Sequence, residues 1–481
     1  MIVLDGHTLD ATAVAAIAAG ARCRLADGAR ARMTATADRV GGEALLRKKW
    51  RWLVDEPEPA DPDALVAAFL LGHCAGVGAP LEPGVVRAMI AVRANVFALG
   101  ASGVRPETVD AMLVWLDADV VPVVPSLGSV GAAGSAALAH LARGLCGLGG
   151  DVWVAGRRVP ASEGAAGLPV LRPTAKEALS LINGATLDAA LAALAVHRAR
   201  GLLDAAIVAC ALSFEVVRAD LGCLSPGGMA LRNQPGAVVV AARLRERLDG
   251  STLCNGQVAD PFSIRCAPIV LGAVHDAIVQ IAAVVDRELN AAIDNPLVLD
   301  DEVVEVGNFH GAPVAIAMDH LKIVLVQLAS IAERRVFRLT YGQLSGLPSF
   351  LVASSGLDSG LMLAQYTAAS LVSECKGYSH PASVDAIPTA QHLEDHQSMG
   401  PIAARGALIV CEAVADVIAI ELMCATQGLD FHLDAAVGRP GVGTSASHAA
   451  VRGVVARWVD DRVLHPDLAA LGKAVRDGRF R

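Results

Sequence analysis

A chain of 481 residues with a formal net charge of -9, 54% apolar side chains and 4% aromatic ones can bury a large core without disulfides or metals. Its apolar mass is Ala, Val and Leu, which favours packed helices. Forty basic residues against 49 acidic ones exclude the strongly basic surface of a nucleic-acid binder.

A mean hydropathy of +0.48 raises the question of a membrane span. The longest uncharged run, Val120 to Ala142, is long enough, but Pro122, Pro125, Gly128, Gly131 and Gly134 interrupt it. It reads as a buried loop entering a helix, and elsewhere charges recur too often for a span. The opening MIVLDGHTLD lacks a basic start followed by an apolar stretch, so no signal peptide is expected. The ten cysteines form no C-x-x-C pair and stand singly in apolar contexts such as Cys210, Cys266 and Cys411. They read as reduced core residues of a cytoplasmic protein.

In chain order, residues 1 to about 45 are Ala-rich and weakly helical. Next comes a basic and aromatic patch, Lys48, Lys49, Trp50, Arg51 and Trp52, running into an acidic Pro-rich turn. The patch is either a lid over an acidic substrate or a solvated charged turn. Pro57, Pro59 and Pro62 rule out a helix there, and Asp61 or Asp63 caps the next one. From Ala64 to Leu116 apolar residues recur at helical spacing, with a break at HCAGVGAPLEPG. Val152 to Val159 is a hairpin with Ala-Gly at its turn. Four long helices are predicted over Ile269–Ile293, Val314–Leu339, roughly Leu361–Lys376, and Gly406–Ala425. Helices this long and apolar belong inside a bundle and usually pack against copies from other subunits.

Eleven segments then carry a specific pattern: GHCAGVGAPL (72–81), GSVGAAG (128–134), AKEALSLINGAT (175–186), VADPFSIRCAP (258–268), AIDNPLV (292–298), GNFHGAPVA (307–315), AERR (332–335), GLDSGLMLAQ (356–365), SECK (373–376), SHPASVDAIPT (379–389) and LEDHQSM (393–399). In this order and spacing they resemble the histidine and aromatic amino acid ammonia-lyases, the histidine branch most of all, over roughly residues 60 to 430. The resemblance implies an all-α fold, a tetramer-forming long-helix bundle with a small N-terminal layer. It divides into an N-terminal helical region, 1–200, and a central bundle with the C-terminal region, 201–481, as one continuous unit.

In that family an Ala-Ser-Gly tripeptide cyclises and dehydrates to a methylidene-imidazolone (MIO), an electrophile that captures the substrate amine. The matching tripeptide here is Ala132-Ala133-Gly134. Ala133 has no β-oxygen to eliminate, so no MIO cofactor is expected. The segment that follows is also one residue shorter than the family's. The family's inner-loop Tyr, thought to be the base at the substrate's β-carbon, has no counterpart in the corresponding stretch, Trp50 to Pro59. The three tyrosines are Tyr341, Tyr366 and Tyr378. A replacement base is therefore one of those tyrosines, with Tyr341 the candidate, a histidine such as His73 or His310, Glu394, or a lysine.

By the same resemblance Arg265 matches the arginine that clamps the substrate carboxylate, a task suited to a guanidinium fork. Asn183 matches the asparagine that helps hold the amino acid. His73 and Glu394 match groups that contact the imidazole in the histidine branch, and Phe309 matches a pocket wall. Ala259 stands where the family has Gln, and Phe262 where it has a Tyr. Each has a plainer reading: Arg265 as a structural ion-pair residue, His73 as a satisfied core histidine. His392 and His396, four apart, would share a helix face and suggest a metal, but the family carries the Glu-Asp-His part without one, so no metal is expected.

Two functions follow. One is an MIO-independent lyase acting on a small α-amino acid or derivative, histidine-like or N-alkylated, or using the pocket for repurposed chemistry. The other is a catalytically inactive homologue that binds a ligand or supports an active paralogue. The expected partners are a small-molecule amino acid and copies of the chain itself, with no nucleic acid and no membrane.

Overall fold

The structure, a computed structural model, describes residues 1–37, 61–132, 135–256, 260–299, 302–354 and 356–481. The stretch Trp50 to Pro59, the patch Lys48 to Trp52, Ala133, Gly134 and Ala259 lie outside the described residues. Two compact units make up the chain. The first comprises Met1–His197, Ala282–Asp319 and Pro381–Arg405; the second Arg198–Ile281, His320–His380 and Gly406–Arg481.

The first unit opens with two parallel strands, Ile2–Leu4 and Cys23–Leu25, joined through the helix Ala11–Ala18. The weakly helical reading of this region missed the strands, because three-residue strands leave almost no alternating pattern. Asn95 ties the layer down: its Oδ1 accepts from Gly6 N and its Nδ2 donates to Leu289 O, both at 2.9 Å. The helix Pro83–Ala98 is buried continuously from Val86 to Ala98. Its Pro sits in the first turn, where a missing N–H leaves nothing unpaired.

The expected loop within 120–142 contains two short strands, Val120–Pro122 and Pro125–Leu127, and then enters the helix Ala136–Leu145. The hairpin forms between Asp151–Val154 and Arg157–Pro160. Its turn residues, Ala155 and Gly156, have φ of 48° and 72°, the positive-φ pair that matches a two-residue hairpin to strand twist. The helix Ala175–Ile182 starts on a capping box between Thr174 and Glu177 and stops where Asn183 turns extended (φ -93°, ψ 140°).

The long helices are Thr186–Val217, Ala267–Leu289, Ala312–Thr340, Met362–Tyr378 and Gly400–Asp434. The last four match the predicted ones, with Gly400–Asp434 longer at both ends. In the second unit Arg335 and Glu421, both fully buried, form a two-pronged pair at 2.5 and 2.8 Å. Ser213 Oγ adds a hydrogen bond to Glu421 at 2.7 Å. Burial without such pairing would be prohibitive for either charge.

One expectation needs correcting. Charges do not recur too often for a span: by length and composition Ala175–Val217, Ala267–Leu289 and Ala312–Thr340 are long and apolar enough to cross a bilayer. The chain itself covers the apolar window of the first completely, and 44% and 67% of the windows of the other two.

Candidate active site

Gly131 organises the site in the first unit. Its carbonyl accepts from Gly311 N at 3.0 Å and from Ser398 Oγ at 2.5 Å, while Met399 N donates to the neighbouring Val130 carbonyl at 2.8 Å. Three sequence-distant loops, around 128–132, 307–311 and 396–400, are thereby joined at the residue preceding Ala132. Gly131 has φ +83°, and a β-carbon there would stand 2.2 Å from Ser398 Oγ. Glycine is required both for the backbone turn and for the close approach.

Asp188, in the first turn of the helix Thr186–Val217, points into this junction. β-Carbons on Gly131, Gly311 and Gly400 would lie 2.9, 2.5 and 2.0 Å from its Oδ2. The side chain is buried, and Oδ2 has no hydrogen-bond partner among the described residues. Burial, reinforced by the negative charge of Glu288, holds the Asp188 carboxyl well above the usual carboxylate range. Glu288 itself is pushed up to about 7 by burial. Motif comparison missed both; the available signal was a lone Asp inside the apolar run Leu187 to Ala195.

Of the expected binding residues of this unit, Phe309 lies on one of these loops and Glu394 just before another, whereas Asn183 and His73 end the helices Ala175–Ile182 and Pro62–Gly72. Asn183 donates from Nδ2 to Asn295 O at 2.7 Å, and its Oδ1 is buried with no partner among the described residues. Phe309 and His310 precede the helix Ala312–Thr340 and are half-buried. Glu394 is held in a tight turn: Thr389 Oγ1 donates to its Oε2 at 2.7 Å, and Thr389 N donates to its carbonyl at 2.9 Å. Gln397 Nε2 donates to Thr389 Oγ1 at 2.8 Å and to Glu394 O at 3.4 Å, leaving Oε1 buried and without a partner among the described residues. His73 caps the end of the helix Pro62–Gly72, donating from Nδ1 to Phe69 O at 2.8 Å, with its ring 4.6 Å from that of Phe69. One of its ring nitrogens is thus committed to the helix end.

The metal suggestion at His392 and His396 fails on geometry. Ala390, Gln391 and His392 have φ of 48°, 55° and 67°, so the segment is not helical and the shared helix face does not exist. His396 instead meets His310, Nδ1 to Nε2 at 3.3 Å, with ring centroids 5.3 Å apart.

In the second unit Phe262 and Arg265 share the one-turn helix Phe262–Arg265, and both are exposed, Phe262 at 77%. Arg335 Nη1 anchors that turn by donating to Ser263 O at 3.3 Å. Arg265 is thus presented outward from a fixed turn. Its charge also opposes the upward push that burial gives Asp260. Tyr341 leads into the turn Gly342–Ser345, 42% exposed, with its hydroxyl donating to Gln343 Oε1 at 2.8 Å.

A long-helix core with motif-bearing loops meeting at Gly131 defines the class as a carbon–nitrogen lyase fold. The chain belongs to the aromatic amino acid lyase family, whose profile matches residues 53–453. It is 43% identical over 500 residues to the histidine ammonia-lyase of Symbiobacterium thermophilum, covering 100% of this chain and 97% of that one. The crystal structure of histidine ammonia-lyase from Trypanosoma cruzi matches with a TM-score of 0.90 and 39% identity, covering 100% of this chain and 94% of that one. The tyrosine aminomutase from Streptomyces globisporus matches at 0.89 and 30% identity, over 100% and 97%.

Proposed function

We propose that this chain is a carbon–nitrogen lyase that works without an MIO group, on a small α-amino acid of histidine-like or N-alkylated type. The tripeptide does not fit the family's electrophile: Ala133 carries no hydroxyl, so the dehydration that makes the methylidene has no leaving oxygen. Without it, ammonia is a poor leaving group, whereas a quaternary amine needs no electrophile to activate it.

The observation that carries the reading is a set of buried acceptors lacking donors among the described residues: Asn183 Oδ1, Asp188 Oδ2 and Gln397 Oε1. An unpaired buried acceptor costs about 1–3 kcal/mol, so a ligand that brings N–H donors to these atoms, as an imidazole ring does, would be stabilised. By the family resemblance Arg265, exposed on its turn in the second unit, is the candidate clamp for a substrate carboxylate. The chain is further proposed to act as a cytoplasmic homotetramer. Apolar side chains exposed on the long helices, among them Val279, Ile323 and Leu363, support assembly.

Thermal-shift measurements with histidine, its N-methylated derivatives and other α-amino acids test this reading. Stabilisation that disappears in Arg265→Ala is expected. No shift with any carboxylate ligand, together with co-purification with an intact paralogue, would instead establish the inert partner subunit, which the engaged Tyr341 hydroxyl and Ala133 favour.

A further inference from the structure

An elimination needs a proton acceptor at the substrate's β-carbon, and the residues first considered for it are constrained. The Tyr341 hydroxyl donates to Gln343, His73 spends Nδ1 on a helix end, and Glu394 Oε2 accepts from Thr389. The His310–His396 contact is different in kind. It joins two imidazoles 86 positions apart in sequence, each on a loop fixed to the Gly131 carbonyl, His310 through the adjacent Gly311 and His396 through Ser398. His396 is exposed and His310 half-buried. Among the described residues no group of three His, Cys, Asp or Glu side chains is placed to hold a metal ion.

We propose that the His310–His396 pair is the proton acceptor of the site, with His396 Nε2 the accepting atom and His310 the positioning residue. This rests on the lyase reading above. A single hydrogen bond between two imidazoles requires one donor and one acceptor. With Nδ1–H of His396 donating to His310 Nε2, the outward Nε2 of His396 carries the lone pair. The step balances within the pair and the substrate. The β-carbon–hydrogen bond breaks and its proton passes to His396 Nε2. The released electron pair forms the Cα–Cβ double bond, and the Cα–N bond breaks with its electrons leaving on the amine nitrogen. The imidazolium formed on His396 shares its charge with His310 through the Nδ1–H hydrogen bond, which strengthens as the donor becomes cationic. The pair does for the site what a loop tyrosine would do, from a rigid anchor and not from a mobile loop.

The test uses the full chain with trimethylated histidine as probe, following deuterium entry at the β-carbon in heavy water, amine release, and binding by calorimetry. His396→Gln is expected to lose at least 100-fold in both β-exchange and amine release while binding the probe within threefold of the parent. His310→Gln is expected to lose about tenfold and to shift the acidic limb of the pH–rate profile, a readout that a merely structural role would not move. A parent chain that releases amine and a His396→Gln variant that keeps the rate within threefold would overturn the pair and leave the lyase reading standing. A parent chain that binds the probe but neither exchanges nor eliminates would overturn both.

Discussion

Glu288 offers the sharpest physical prediction. Its side chain is 9% exposed on the helix Ala267–Leu289, and burial lifts it from an ordinary 4.5 to about 7. The folded chain therefore holds this proton more tightly than the unfolded chain does. Below the unfolded value both states are protonated and the group costs nothing. Between 4.5 and about 7 the folded state binds more protons, so stability falls as pH rises; above that range the full penalty stands. A shift of this size corresponds to roughly 3 kcal/mol. Glu288→Gln keeps the shape and removes the titration. Its urea-unfolding free energy should exceed that of the parent by roughly 3 kcal/mol at pH 8 and by roughly 1 kcal/mol at pH 5. A difference between the two proteins that does not change with pH would refute the reasoning.

Other perturbations have equally direct outcomes. Glu421→Gln strands the buried Arg335 guanidinium and should cost about 3–5 kcal/mol of unfolding free energy, whereas the double change Arg335→Met with Glu421→Leu should recover most of it. Gly131→Ala places a β-carbon 2.2 Å from Ser398 Oγ at a φ of +83°; it should cost at least about 2 kcal/mol in urea unfolding and abolish ligand-induced thermal stabilisation.

The sequence made much of the fold readable, for identifiable reasons. The hairpin at 151–160 was legible because Ala155-Gly156 is a local turn signal between short β-rich runs. The helices from Ala267 onward were legible because a few charges punctuate long apolar stretches. The helix Thr186–Val217 was not singled out, since its polar stripe is confined to His197, Arg198, Arg200 and Asp204 and Ala and Leu fill most of the rest. Asn183, Phe309 and Glu394 were singled out through motifs. The role of Asp188 was hidden because what defines it, three glycines packed on one oxygen, comes from residues 131, 311 and 400. His396 was read against His392 at helical spacing; positive φ angles at 390–392 break that helix and let it meet His310. Spacing rules carry information only within regular elements, and this site is built from loops.

The central claim is that this family member eliminates an amine without an electrophile to activate it. Comparing kcat/KM for histidine and for its trimethylated form, by release of ammonia and of trimethylamine from the same preparation, tests it most directly. Release of trimethylamine at a rate at least 100-fold above that of ammonia is predicted. Ammonia release from histidine at an equal or higher rate would contradict the account.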